Sequence, residues 1–146
     1  MLTLRWWNRL MVALAMIACA GGALAAEPRW EMIDENRETS AFYYDVASVA
    51  KGAPGMVTVW ARAIYTEQGK EDALELVGNN PAFADLSHTH FLYTINCPKE
   101  QSRLEQVIHY DSKAEQIRAY NLSGKTAWEE IEPDTRMDLL RTAVCK

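Results

Sequence analysis

Met56 to Tyr65 reads MVTVWARAIY, and this stretch decides the fold. On an extended chain Val57, Val59, Ala61, Ala63 and Tyr65 fall on one side. Met56, Thr58, Trp60, Arg62 and Ile64 fall on the other. Both sides are partly apolar, as expected of a central strand. The small Ala61 and Ala63 leave room for a helix to lie close on the first side.

Working outward, Trp30 to Asp34 (WEMID) and Ala41 to Asp45 (AFYYD) are strand-like, with polar Glu35 to Ser40 as a turn between them. Val46 to Gly55 reads as a loop, punctuated by Gly52, Pro54 and Gly55. Downstream, Thr66 to Ser87 breaks the alternation. Within it Glu71 to Val77 is expected to form a short helix, stopped by Gly78-Asn79-Asn80-Pro81. Long excursions between strands often carry functional surface.

Strand character returns at Thr89 to Cys97. Phe91, Tyr93, Ile95 and Cys97 share one side, and His90, Leu92, Thr94 and Asn96 the other. Arg103 to Asp111 alternates again, with Leu104, Ile108 and Tyr110 on one side. Gln116 to Leu122 and a short Ala127 to Ile131 complete the strands. Pro133 and Asp134 open a helix running to about Val144, with Asp134 as its N-cap. Met137, Leu140 and Val144 recur at helical spacing, so this face packs on the sheet. The expected fold class is α+β: an antiparallel β-sheet of about six strands with a C-terminal helix packed on one face.

The start of the chain has a different character. Arg5 and Arg9 precede an apolar run from Met11 to Ala18, then the small-residue stretch CAGGALAA. This is the layout of a secretory signal peptide spanning residues 1–25, cut after Ala23-Leu24-Ala25 to leave one domain over 26–146. Gly21-Gly22 and the short apolar run argue against a retained membrane helix. Met16-Ile17-Ala18-Cys19 also resembles a lipobox, which would lipidate Cys19 and tether the protein to a membrane. Removing Arg5 and Arg9 takes the basic count from 15 to 13 against 20 acids, a balance of −7. A chain so acidic repels phosphate backbones, so nucleic acid is not an expected partner.

Once residues 1–25 are removed, two of the three cysteines remain. An even pair in an exported chain implies a Cys97–Cys145 disulfide closing a loop of about 49 residues. The bridge would tie the terminal helix to the inward side of the sheet.

Chemical motifs are sparse. His88 and His90 share a face of a strand and could hold zinc or copper, with Asp85 or His109 adding a ligand. Solvated histidines at a strand edge are the plainer account. Glu129, Glu130 and Glu132 alternate sides and do not converge. No nucleophile elbow, zinc-protease helix, phosphate loop or C-x-x-C is present, so neither catalysis nor a cofactor is expected. Trp60, Ile64, Leu92 and Val107 lie opposite the better-patterned sides of their strands and make a candidate interaction face, suited to a homodimer.

The order of features resembles the bacterial surface-adhesin protein E family. The carrying residues are Trp30, Tyr43-Tyr44-Asp45 with Ser48-Val49, and Val59-Trp60. Tyr93 to Cys97 leading into Arg103-Leu104 follows, then Trp128, Ile131 and Pro133 before the helix ending at Cys145. The resemblance spans most of the mature chain. It implies an exported, non-enzymatic binding protein of the periplasm or outer surface. Its partner would be an extracellular matrix or envelope protein, and it would assemble as a homodimer. An envelope-associated structural module, lipidated at Cys19, is the alternative. A metal-binding protein using His88 and His90 is a third reading.

Overall fold

The computed structural model describes residues 26–146; the expected signal peptide, with Cys19, lies outside the described residues. The strands are β1 (Trp30–Asn36), β2 (Ser40–Asp45), β3 (Ala50–Lys51), β4 (Met56–Tyr65), β5 (Leu86–Asn96), β6 (Gln101–Asp111), β7 (Gln116–Asn121) and β8 (Glu129–Glu130). They form one antiparallel sheet in the order β1-β2-β4-β5-β6-β7, with short β3 against β4 and short β8 against β6. The long path is a meander, so neighbours in sequence pair in space. Helix α1 (Glu67–Leu76) interrupts it between β4 and β5, and α2 (Arg136–Val144) closes the chain. The expected α+β sheet with a C-terminal helix on one face is what forms.

One face of the sheet holds the core. Val57, Val59, Ala61 and Ala63 of β4 meet Phe42 of β2 and Ile95 of β5, with Leu140 and Val144 of α2 laid over them. The two alanines leave the space that the helix fills. Burying each large side chain here contributes roughly 1.5–3 kcal/mol. Arg136 fixes the start of α2 to β1 and β2. Its Nε donates to Asp34 at 2.7 Å, Nη1 to Ser40 Oγ at 2.7 Å and Nη2 to the Ser40 carbonyl at 2.7 Å. Cys97 and Cys145 are bonded, their Cα atoms 5.7 Å apart, and lock the far end of α2.

The excursion folds back over the remaining part of the same face. Buried Phe83 meets the His109 ring edge-on at 5.1 Å, and His109 Nδ1 lies 2.8 Å from Thr89 Oγ1. Helix α1 begins earlier than expected, at Glu67, because Thr66 caps it and its hydroxyl accepts from the Gly69 N–H. Gly69 presses on the β1–β2 turn. A Cβ there would lie 1.8 Å from the Thr39 carbonyl oxygen.

Two other expectations need correction. Asp134 does not cap α2; it sits at φ 60°, and Thr135 is the N-cap, accepting from the Asp138 N–H. Asp138 reaches back to the Asp134 N–H, a capping box displaced by one residue. Leu104 does not share a side with Ile108 and Tyr110. The β5–β6 register shifts between Leu92 and Tyr93, leaving Glu105 as the extra residue of a β-bulge. Leu104 therefore faces the core side with Tyr93, while Ile108 and Tyr110 face the other. Burial opposes ionisation of the bulged Glu105, yet its pKa is held low by hydrogen bonds from Arg103, Thr94 and Ser123.

Candidate functional site

The opposite face carries no helix. Register places Met32, Tyr43, Arg62, His90, Ile108 and Ala119 in one row across it. Trp60, Leu92 and Gln106 form the row on one side; Ile64, His88 and Tyr110 form the row on the other. Of the expected interaction face, Trp60, Ile64 and Leu92 share the open face, with Trp60 directly opposite Leu92 and Ile64 on the far side of the Arg62–His90 row. Val107 does not join them. It pairs with Phe91 on the core-side face, because the bulge at Glu105 inverts the parity that an uninterrupted strand would have.

Trp30 is brought over this face by the end of β2. Asp45 Oδ1 accepts from the Arg29 N–H at 2.7 Å and the Ala47 N–H at 3.0 Å, tying down the start of β1. The Trp30 ring then lies 4.4 Å from the Arg62 guanidinium and 5.0 Å from the His90 ring. The Tyr43 ring lies 5.0 Å from the same guanidinium. Such stacking suits a guanidinium, which is planar and weakly hydrated. His88 lies flat on Tyr110 at 5.0 Å, and His90 is 4.6 Å from the same ring. Pro28, Trp30, Asp45, Trp60, His90, Ile108 and Tyr110 line a cleft of about 260 Å³.

The imidazoles here are neutral at neutral pH. Burial pushes His90 down to about 4, helped by His88 and Arg62 and opposed by Asp45. His88 is lowered by burial and Arg62, against Asp111. Burial also lowers Arg62 from its ordinary value. Two polar atoms of the cluster are buried without a hydrogen-bond partner: Arg62 Nε and His90 Nε2.

The metal constellation does not assemble. His88 and His90 share the open face, 5.3 Å apart, but His109 points to the other face and Asp85 accepts from Ser112. No set of three His, Cys, Asp or Glu side chains converges among the described residues. A larger depression of about 380 Å³ lies beside the disulfide, lined by the 51–57 loop, Val144 and Lys146, and it gathers no catalytic set. No described helix is long and apolar enough to cross a membrane.

These features define an α+β protein built on one sheet, with a disulfide-tied terminal helix on one face and an aromatic, cation-bearing surface on the other. The chain belongs to the surface-adhesin protein E family, whose family model matches residues 30–146. No curated protein matches the sequence. Among solved structures it is similar to crystal form II of Haemophilus influenzae protein E. That structure has 16% identity and a TM-score of 0.53, covering 84% of this chain and 96% of that one. Protein E from non-typeable Haemophilus influenzae is 14% identical, covering 84% and 82%, with a TM-score of 0.48. The first likeness shows the fold.

Sequence reasoning missed Arg62, Trp30 and Tyr110 as members of one cluster. A signal existed: Arg62 is the one charge within the otherwise uncharged stretch from Met56 to Tyr65.

Proposed function

We propose that this is an exported, non-enzymatic binding protein that works at the bacterial cell surface or in the periplasm, with a protein of the extracellular matrix or envelope as partner. The family match across residues 30–146 carries the reading. The disulfide supports an oxidising compartment. The helix-free face with its half-buried aromatic side chains supports binding, since such surfaces are enriched at interfaces. The test is binding of the purified protein to immobilised matrix proteins across a concentration series. Saturable binding to at least one is expected, and none across the panel would remove the adhesin reading. Mass spectrometry of the mature N-terminus separates a free protein beginning at Ala26 from one lipidated at Cys19.

A second reading concerns assembly. Trp60 and Leu92 oppose each other on the open face, with Ile64 on the same face beyond the Arg62–His90 row, and a second copy could cover them. Sedimentation at high micromolar concentration is expected to show a dimer; a monomer there rules it out.

A further inference from the structure

We propose that Arg62 forms a carboxylate-binding subsite on the open face, occupied by an acidic side chain of a protein partner whose neighbouring apolar residue enters the Trp30–Trp60–Ile108 cleft. This deepens the binding reading above and rests on it.

Four other arginines of the described residues show what a carboxylate-paired guanidinium looks like here, although the Nε of Arg141 is also buried without a hydrogen-bond partner. Arg103, Arg136 and Arg141 each meet a carboxylate oxygen at 2.7–2.8 Å, and even exposed Arg37 has Glu35 at 3.7 Å. Arg62 sits in the middle of the sheet, more enclosed than Arg37, and no carboxylate pairs with it. Its Nε has no acceptor, and neither does the Nε2 of His90 directly across the strand pair. Aromatic rings hold it at 4.4 and 5.0 Å, so it is positioned without being neutralised. Methionine or leucine would cover Trp30 and Tyr43 without leaving a charge uncompensated. A cation set against two rings, with no carboxylate partner among the described residues, is built as a receptor is built.

The nearby acids do not fill the role. Asp45 Oδ1 is taken by the Arg29 and Ala47 amides, and Asp111 Oδ1 by the amides of Lys113 and Glu115. The other groups facing Arg62 are Tyr43, His88, His90 and Tyr110, none of them a carboxylate. The chemistry favours one carboxylate over a polyanion. The mature chain's −7 balance repels a phosphate chain or sulfated glycan at long range. A single acidic side chain next to an apolar one meets both the guanidinium and the cleft at short range.

A consequence separates this role from a structural one. Arg62 repels protons from His88 and His90. A carboxylate seated on Arg62 offsets that repulsion, so occupancy raises the pH at which both imidazoles titrate.

The test is an NMR titration of the purified protein with the blocked peptide Phe-Glu-Leu, against Phe-Gln-Leu, inorganic phosphate and a heparin disaccharide. The Glu peptide is expected to shift the Trp30, His88 and His90 signals saturably and to bind about tenfold or more tighter than the Gln peptide. It is also expected to move His90 titration upward. Arg62→Gln removes the preference and the His90 shift; Arg62→Lys, which keeps the charge without the planar fork, retains part of each. Equal binding of the two peptides, no shift at these residues, or an undiminished preference in Arg62→Gln overturns the proposal. Stronger binding of phosphate or the disaccharide overturns the protein carboxylate as occupant. Should Arg62→Gln fail to fold, the Arg62→Lys comparison decides. If the parent binds a matrix protein and both Arg62 variants bind it equally, the subsite falls and the adhesin reading stands. If no matrix protein binds, the peptide titration still reads the subsite.

Discussion

Breaking the Cys97–Cys145 bridge tests the fold most directly, using the double variant Cys97→Ser with Cys145→Ser. The bond joins residues 48 apart. The chain-entropy relation for a loop of that length gives a loss of about 4 kcal/mol, which acts by enlarging the unfolded ensemble. The native state keeps most of what holds α2. Leu140 and Val144 remain under the sheet, and Arg136 still bonds Asp34 and Ser40. The variant is therefore expected to fold with an unchanged far-ultraviolet spectrum. It should melt roughly 12–20 °C lower than the parent. Urea unfolding of the two proteins, with the parent also measured under reductant, reads the loss. The reduced parent should match the variant. Coincident unfolding curves for variant and oxidised parent would refute the argument, because a bond closing this loop cannot be thermodynamically silent.

Three further outcomes follow from the geometry. His90 titrates lower in the folded protein, about 4, than the ordinary 6.5 of the unfolded chain, so the unfolded state takes up the proton first. Stability then falls as pH drops from about 6.5 to 4 and this contribution levels off below. Allowing for solvent screening the loss is about 1–2 kcal/mol, and urea midpoints of parent and His90→Gln across that range should diverge. Gly69→Ala puts a methyl into the Thr39 carbonyl, so α1 must detach from the β1–β2 turn. Amide exchange is expected to quicken in Glu67–Leu76 while the core strands stay protected; unchanged exchange contradicts the packing. Arg136→Met strips the partners from Asp34 and Ser40 and is expected to destabilise by about 1–3 kcal/mol in the same urea assay.

The strands and the bridge were legible because they rest on local rules. Alternation over Met56–Tyr65 and Thr89–Cys97 sets which side each residue faces, and the two cysteines among residues 26–146 have only each other as a partner. The C-terminal helix was legible from Met137, Leu140 and Val144, though its cap moved from Asp134 to Thr135. Both residues suit an N-cap, and only the backbone decides; Asp134 takes the left-handed conformation that a short polar side chain tolerates. Val107 was misplaced for a different reason. A bulge inserts one residue without a compositional mark, and Glu105 looks like any surface glutamate until Arg103 and Thr94 are seen to hold it. The open-face cluster was illegible because Trp30, Tyr43, Arg62, His90 and Tyr110 come from five separate stretches of chain. Only the register of five strands and the tether at Asp45 bring them together.

Two arginines show how the faces of this sheet divide their work. Arg136 and Arg62 both lie over aromatic rings, Phe42 at 5.5 Å and Trp30 at 4.4 Å. Burial alone does not separate them. Their hydrogen bonds do: Arg136 spends its donors on Asp34 and Ser40, joining three elements of the core side, whereas the buried Nε of Arg62 has no partner among the described residues. A guanidinium with carboxylate, hydroxyl and carbonyl partners is explained by the fold it secures. One with rings but no acceptor is not, because an apolar side chain would serve the rings as well. The same residue type is thus structural beneath the helix and a receptor on the bare face.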